Sequence, residues 1–288
     1  MTETILNVVI GGLLIGGVYA LIAMGLSLQY GVARVLNIAH GEFIMLGAFI
    51  TFWLQSNSIN PLLSIVIVGP ITFVLGFILY RTLFTSLRNK APNTGAFEAS
   101  SMLAAFGLLF IVQNVAILLW GTSVRGYQYL STSVNVGGAL FSANRMVTAG
   151  FAVAIGLAFY FFLARTRVGK AIRAAAQDAA TAGLMGVNIN FVLALCFGFG
   201  AAMAGVAGSL LSMCYSIQTN MGLSYTIIAI VVVVFGGLGS IPGSFIGGFI
   251  MGVIGSIVSY WQPGLAVAAF YLIFVLLLLV RPKGIMGK

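Results

Sequence analysis

The sequence has very few charged residues. Thirteen Lys and Arg and four Asp and Glu make up 6% of its 288 residues, against about 25% in an ordinary soluble domain. Hydrophobic residues account for 61% of the chain, and the mean hydropathy is +1.14. This composition excludes a soluble globular protein, a disordered chain and a secreted disulfide-rich domain. We also expect no nucleic-acid partner, because the net charge of +9 is not gathered on a polar domain with a basic face.

Acid–base and metal-binding side chains are equally scarce, since the chain has one His, one Asp and two Cys. Hydrolytic and metal-dependent catalysis need several such groups close together. We therefore expect no catalytic residues, no metal site and no cofactor bound by this chain. Gly169 and Lys170 do not form a phosphate-binding loop, because Ala171 stands where a Ser or Thr would bind magnesium. Cys196 and Cys214 are expected to be buried free thiols.

The sequence instead contains long stretches without charged residues. No charged residue occurs from Ala179 to Val280, and this length suffices for roughly four crossings because one crossing needs about 20 apolar residues. Uncharged stretches predict eight full spans, at residues 5–28, 62–81, 99–119, 146–164, 190–214, 222–238, 243–260 and 264–280. A ninth stretch, 40–54, is too short to span comfortably, and we predict a short broken or re-entrant helix there.

The predicted fold class is therefore all-α, a polytopic integral membrane helical bundle. We expect one transmembrane domain over residues 1–288, with a cytoplasmic loop at 165–190. Ten of the thirteen positive residues lie in three groups: Arg81, Arg88 and Lys90; Arg165, Arg167, Lys170 and Arg173; Arg281, Lys283 and Lys288. Positively charged loops stay cytoplasmic, so these groups and the C-terminus are expected inside and the loop 121–144 outside. The side of the N-terminus depends on whether segment 40–54 crosses, and we expect the inside.

Glycine is abundant, with 37 residues, and several glycines are spaced four apart. Gly12 with Gly16 and Gly248 with Gly252 are two such pairs. Lipid provides no hydrophobic drive for helices to associate, so small residues that permit close backbone approach supply the packing. The pairs predict tightly packed helices and say nothing about a substrate.

A first polar motif opens the short ninth segment, where Asn37, His40, Gly41 and Glu42 precede an apolar run. Ionisable residues are costly inside a membrane and mark functional sites by default. We therefore propose them as candidates for a translocation pathway. The alternative is structural: Asn37 caps the helix and Glu42 pairs with His40 or Arg34.

A second motif is a glycine-interrupted stretch in the other half of the chain. Its pathway candidates are Gly236, Gly237, Gly239, Ser240, Pro242 and Gly243. Residues 41–44 and 243–246 share the pattern G-x-F-I, which raises a possible internal repeat. Interrupted segments at corresponding positions of two halves are typical of transporters whose pathway lies between repeats. The alternative is a tight hairpin between two helices.

A third motif lies in the loop 165–190, where Lys170, Arg173 and Gln177 fall on one face of a short helix and apolar residues on the other. Such a helix lies on anionic lipid or docks into a partner. The sequence alone leaves both possibilities open.

Four segments together resemble a known family. The stretch YGVARVLNIAHGEFIMLGAF at 30–49 resembles the N-terminal signature of LivH-type permeases, the membrane subunits of ABC importers for branched-chain amino acids. VGKAIRAAAQDAATAGLMGVN at 168–188, GGLGSIPGSFIGG at 236–248 and RPKGIMGK at 281–288 agree in the same order. The N-I-A-H-G form is similar to the H-type subunit rather than its M-type partner. Arg34, Lys283 and Met286 depart from the family's usual pattern.

The resemblance implies partners: an M-type permease, two ATP-binding cassette subunits that carry ATP and magnesium, and an extracytoplasmic substrate-binding protein, in the lipid bilayer of a bacterial-type inner membrane. It also implies that segment 168–188 docks on an ATPase. The candidate coupling residues are Lys170, Arg173, Gln177, Asp178, Leu184 and Met185. The implied function is ATP-driven alternating access for branched-chain or related hydrophobic amino acids by a non-catalytic subunit. Alternatives are a permease for urea or short amides, and a stand-alone carrier driven by protons through His40 and Glu42.

Overall fold

The computed structural model describes residues 2–136, 139–281 and 284–287, and shows a helical bundle. Lys283 and Lys288 of the third basic group lie outside these residues. The described helices are α1 Thr2–Ala33, α2 His40–Ser56, α3 Pro61–Leu79, α4 Thr85–Lys90, α5 Thr94–Trp120, α6 Ala143–Arg165, α7 Arg167–Gln177, α8 Ala179–Leu184, α9 Ile189–Ser212, α10 Met221–Gly236, α11 Ile241–Trp261 and α12 Ala266–Val280. A π-helical turn, Tyr80–Phe84, joins α3 to α4, and a 3-10 turn, Pro263–Leu265, precedes α12.

The predicted fold class is confirmed. Within the described residues, seven helices are long and apolar enough to cross a membrane. The predicted span 222–238 is α10, which has only 16 residues and so is about 24 Å long. The short ninth segment is α2, a continuous helix of 17 residues, and the interruption lies before it at 34–39. A small antiparallel hairpin, β1 Ser133–Val136 and β2 Ala139–Ser142, was not predicted.

Helix α1 is central and runs antiparallel to α11. Glycines make this contact possible: a Cβ on Gly16 would lie 2.8 Å from the Phe249 Cα, and one on Gly12 would lie 2.5 Å from the Val253 Cα. Any larger residue at either position would force the backbones apart, so the four-residue spacing acts in packing as predicted. Helix α9 is the other central helix, 78% buried along its most apolar stretch, and it lies between α1, α2 and α3.

The chain's two ends lie at opposite ends of the bundle. Ser256 on α11 donates to the Val8 carbonyl oxygen at 2.7 Å near the start of α1. The tail lies at the far end, where the Met286 N–H donates to the Gly236 carbonyl oxygen at 3.1 Å. The prediction that both termini lie on the same side was therefore wrong. Segment 34–39 and α2 together complete one more traverse of the bundle than the prediction counted.

The positively charged residues are divided between these two ends of the bundle. The end that holds the tail also carries Arg34, Arg88 and Arg173, and we call it the basic end. The other end carries the hairpin and is called the hairpin end. There Arg125 pairs through its backbone with Ile217, after the end of α9. The loop 121–144 thus lies opposite the basic groups, which agrees with its predicted placement.

Candidate functional site

Helix α2 forms the centre of the first predicted site. His40, Gly41 and Glu42 are buried at its start, and α2 packs against α9, α10 and α3. The packing is close: a Cβ on Gly41 would overlap the carbonyl oxygen of Gly222 on α10. The first turn of α2 thus lies inside the protein rather than at a surface.

Asn37 satisfies the backbone of the interruption before α2. Its Oδ1 accepts from the Ala39 N–H at 3.1 Å, and its Nδ2 donates to Gln29 Oε1 at 3.3 Å. Gln29 in turn donates to the Phe197 carbonyl oxygen on α9 at 3.1 Å. This chain of amides ties the non-helical segment to α1 and α9. Asn37 therefore has a structural role, but it does not cap α2 as the alternative predicted, because Ala39 is the N-cap residue and no side chain caps this helix. Sequence reasoning missed Gln29, although a Gln within an apolar span is itself a signal.

His40 and Glu42 each keep one polar atom without a partner. His40 Nε2 lies 3.1 Å from the Ile22 carbonyl oxygen, and because a carbonyl only accepts, the hydrogen is on Nε2 and Nδ1 is a bare acceptor. Among the described residues, neither His40 Nδ1 nor Glu42 Oε2 has a hydrogen-bond partner, although both are buried. The Glu42 carboxyl group packs against Gly222. Unpaired buried polar atoms are rare and call for an explanation.

Thr226 on α10 binds the start of α2 to the bundle. Its Oγ1 accepts from the Gly41 N–H at 2.8 Å, and its single hydrogen is shared between the carbonyl oxygens of Ile38 at 3.0 Å and Gly222 at 3.2 Å. This hydroxyl thus provides hydrogen-bond partners both for the non-helical segment 34–39 and for the first turn of α2. Sequence reasoning missed this residue, because one Thr in an apolar helix resembles the many that only bond their own helix.

A second line of hydroxyls runs along α2 and α9 to the hairpin end. Thr51 donates to Ser209 Oγ at 2.8 Å, and Ser212 donates to the Ser209 carbonyl oxygen at 2.6 Å. The Tyr127 hydroxyl lies 2.9 Å from Ser212 Oγ. Burial raises the pKa of Tyr127 to about 12, so the phenol stays neutral at physiological pH. None of these residues was predicted, since only the folded chain brings them together.

The glycine-rich stretch forms the turn between α10 and α11. Gly237 and Gly239 have φ values of +106° and +80°, which glycine adopts freely. Ser240 caps α11 by accepting from the Gly243 N–H at 3.2 Å. Gly239 lies against Gly31 at the end of α1. This is the tight hairpin that we considered as the alternative, and it lies at the basic end.

The structure does not bring the two predicted pathway groups together. Gly222 beside Glu42 begins α10, and Gly236 ends it, so the groups are about 21 Å apart along this helix. Gly41 packs on the first turn of α10, whereas Gly243 packs on its last residue, Gly236. The two segments that share the pattern G-x-F-I therefore lie at the starts of α2 and α11, and these two starts contact opposite ends of α10. Pro242 lies in the first turn of α11.

The amphipathic helix predicted within the loop 165–190 is α7. Ile172 and Ala175 are buried against the bundle, while Lys170, Arg173 and Gln177 are exposed. Arg173 also donates to the Ala164 carbonyl oxygen at the end of α6, at 3.2 Å. One face of α7 is therefore fixed to the bundle, and the polar face is exposed.

Helix α8 continues this surface. The Asp178 carboxylate accepts from the backbone N–H groups of Ala180 and Thr181 and from the Thr181 hydroxyl, and these bonds hold its pKa below the usual value. A lowered pKa means that the stabilisation is present above the ordinary pKa and is lost only as the pH falls through the lowered one. At the end of α8, Leu184 and Met185 are 88% and 81% exposed. Two neighbouring apolar side chains in water are typical of a docking site.

Comparisons with known proteins identify the family. The family model described as "Branched-chain amino acid transport system / permease component" matches residues 8–281. The chain belongs to this family. It is 32% identical over 295 residues to the high-affinity branched-chain amino acid transport system permease protein LivH of Salmonella typhimurium, covering 96% of this chain and 94% of that protein. It is 31% identical to BraD of Pseudomonas aeruginosa, covering 98% and 96%. The recognised resemblance and the permease function are thereby confirmed.

The fold has a counterpart among solved structures. A chain of PsaBC from Streptococcus pneumoniae, solved in complex with Fab, superimposes with a TM-score of 0.51, covering 98% of this chain and 97% of that one. The sequence identity is 14%, so the likeness concerns the fold alone. The seven apolar helices of the described residues and membership of the permease family agree with a multi-pass membrane protein.

Proposed function

We propose that this chain is the H-type permease subunit of an ABC importer and moves branched-chain amino acids across a bacterial-type inner membrane, with its C-terminus in the cytoplasm. The observation that carries the proposal is the surface formed by α7 and α8 at the basic end. On this surface the apolar face of α7 packs against the bundle, its polar face is exposed, and Leu184 and Met185 at the end of α8 are exposed. The chain belongs to the permease family. Basic loops are cytoplasmic in membrane proteins, which is the side on which ATP is available.

The proposed partners are an M-type permease, two ATPases that carry ATP and magnesium, and an extracytoplasmic binding protein. The chain acts as one domain over residues 1–288 and contributes no catalytic group of its own. The coupling residues Lys170, Arg173, Gln177 and Asp178 then face an ATPase groove, into which Leu184 and Met185 insert. Movement of α7 reaches α6 through the Arg173 bond to Ala164, so a shift of the ATPase is passed to the spans.

The pathway proposal rests on the unpaired atoms at the start of α2. His40 Nδ1 and Glu42 Oε2 are buried without partners among the described residues. Such atoms are available to a polar substrate group that passes transiently, whereas Asn37 and Gly41 are already engaged with Gln29 and Thr226 and position this turn. The α10–α11 turn serves as a hinge at the basic end, because it joins α10, α11 and the tail at one place.

Reconstitution in proteoliposomes tests the function. With the partner subunits, external binding protein and internal ATP, radiolabelled leucine should accumulate, and the chain alone should show no uptake under a pH gradient. Proton-driven uptake by the chain alone would instead establish the carrier alternative, which needs His40 and Glu42. Labelled urea and acetamide in the same vesicles test the other alternative: their uptake with no uptake of leucine would refute the proposed substrate.

The coupling surface is tested separately. Leu184→Ser with Met185→Ser should abolish leucine uptake and lower co-purification of the ATPases. These side chains are almost fully exposed, so the fold is retained. Leu140→Ser is a matched control, because Leu140 is also exposed but lies on the hairpin. Full uptake and normal assembly of the double variant would show that the ATPase docks elsewhere.

A further inference from the structure

Two arginines share a cavity at the basic end. Arg34, which follows α1, and Arg88 on α4 line a cavity of about 210 Å³ together with Asn93, Thr94 and Phe97 at the start of α5. The Cζ atom of Arg34 lies 5.8 Å from the centre of the Tyr30 ring, and that of Arg88 lies 5.8 Å from the Phe97 ring. The guanidinium groups rest on aromatic rings, and within the described part of the chain no acidic side chain pairs with either of them.

Arg34 stands in an unusual backbone conformation. Its φ is +56°, in the left-handed region that glycine adopts freely and that a long side chain rarely occupies. Its N–H still donates to the Tyr30 carbonyl oxygen at 3.0 Å, so the residue closes the last turn of α1. Glycine would serve this turn better. A disfavoured conformation at a residue that the turn itself does not require indicates a use for its side chain.

The third wall of the cavity adds to the positive potential. Helix α5 has 27 residues and begins at Thr94, and Asn93 caps it by accepting from the Ala96 N–H at 2.8 Å. The positive end of this helix dipole therefore lines the same cavity as the two guanidinium groups. The cavity combines two guanidinium groups that have no acidic partner among the described residues with the partial positive charge of a helix start, and so favours an anion.

The helix surface near the cavity is apolar and exposed, which is typical of a surface that faces lipid. Helix α5 packs mainly on α2 and α4, and much of its length is exposed and apolar: Met102 is 46%, Leu103 73% and Phe106 45% exposed. These residues lie 8 to 12 positions beyond Thr94, or about 12–18 Å along the helix, which is roughly the depth of one leaflet. An anionic headgroup in the cavity would thus leave its acyl chains along this face of α5.

We propose that the Arg34–Arg88 cavity is a binding site for the phosphate headgroup of an anionic phospholipid, with the acyl chains lying against the exposed face of α5. Phosphate suits the site because guanidinium groups bind its oxygens with paired N–H donors. The lipid fixes the α4–α5 junction to the end of α1. The proposal does not depend on which substrate is transported.

Native mass spectrometry of the complex purified from membranes tests the site. Dioleoylphosphatidylglycerol should bind more tightly than dioleoylphosphatidylcholine. Near a membrane surface one basic residue contributes about fivefold in affinity for anionic lipid, so Arg34→Gly and Arg88→Gln should each lower phosphatidylglycerol affinity about fivefold and the double variant about 25-fold. Arg145→Gln is the matched control, because Arg145 is an exposed arginine over an aromatic ring at the hairpin end, and it should leave this affinity unchanged.

A second measurement separates lipid binding from folding. Without phosphatidylglycerol, Arg34→Gly should unfold at the same temperature as the wild type or a higher one, since glycine suits this φ. Added phosphatidylglycerol should raise the wild-type unfolding temperature and leave that of the double variant unchanged. The proposal is overturned if the double variant keeps the wild-type lipid preference, if Arg145→Gln loses as much, if millimolar inorganic phosphate displaces the lipid, or if the double variant loses its ATPases while keeping the lipid.

Discussion

Thr226→Val should destabilise the protein by removing one hydroxyl while keeping the shape of the side chain. The hydroxyl accepts from the buried Gly41 N–H at 2.8 Å and donates to the Ile38 carbonyl oxygen at 3.0 Å. A buried polar group left without a partner costs about 1–3 kcal/mol. The Gly41 N–H incurs this penalty fully and the half-buried Ile38 carbonyl in part, so we expect a loss of about 2–3 kcal/mol in the free energy of unfolding.

Thr226→Ser is the matched control, because it keeps the hydroxyl and loses one methyl group, worth about 0.8 kcal/mol. Reversible unfolding of the purified chain in mixed detergent micelles, titrated with SDS and followed by circular dichroism, measures both variants. Thr226→Val should also lower leucine uptake by the reconstituted complex, because the first turn of α2 loses its attachment to α10. Equal stability of the Val and Ser variants would refute the reasoning and assign the contact between α2 and α10 to packing alone.

Two further predictions concern the same helix. His40→Ala and Glu42→Gln should lower leucine uptake without preventing assembly of the complex, as measured by size-exclusion chromatography. The reason is that neither His40 Nδ1 nor Glu42 Oε2 takes part in a described hydrogen bond that holds the fold. Full uptake by both variants would assign the two residues a structural role. Gly41→Ala should lower the SDS midpoint of unfolding strongly, because its Cβ would overlap the Gly222 carbonyl oxygen, whereas Gly107→Ala, with open space around the new Cβ, should leave the midpoint unchanged or raise it.

The spans could be predicted because they depend on local properties of the sequence. A stretch such as 99–119 is apolar and bounded by polar residues, and the structure places α5 there from Thr94 to Trp120. The amphipathic α7 was predictable for the same reason, since residues three or four apart share a helical face. The α10–α11 turn was ambiguous, because glycine-rich stretches occur both in pathways and in tight turns.

The partners of α2 could not be predicted, because they depend on distant contacts. Gly41 and Thr226 are 185 residues apart in the sequence, and no periodicity connects them. The polar residues of the motif were visible in the sequence, yet their roles differ. Asn37 bonds to Gln29 and Ala39, whereas His40 and Glu42 each keep an atom with no hydrogen-bond partner in the part of the chain that the structure describes. Burial and hydrogen bonding separate these roles, and both arise only when α9 and α10 are in place.

The same separation affects how the chain enters the membrane during synthesis. Helix α2 is made early, but its neighbours α9 and α10 are made about 150 residues later, so its first turn leaves the ribosome long before Thr226 exists to bind it. Until then, His40 has its contact with Ile22 on α1, but Glu42 lacks its neighbour Gly222 on α10. A helix of 17 residues that starts with two ionisable side chains is a poor candidate for stable insertion on its own. We therefore expect α2 to reach its final placement only after α10 has been made, late in the assembly of the bundle.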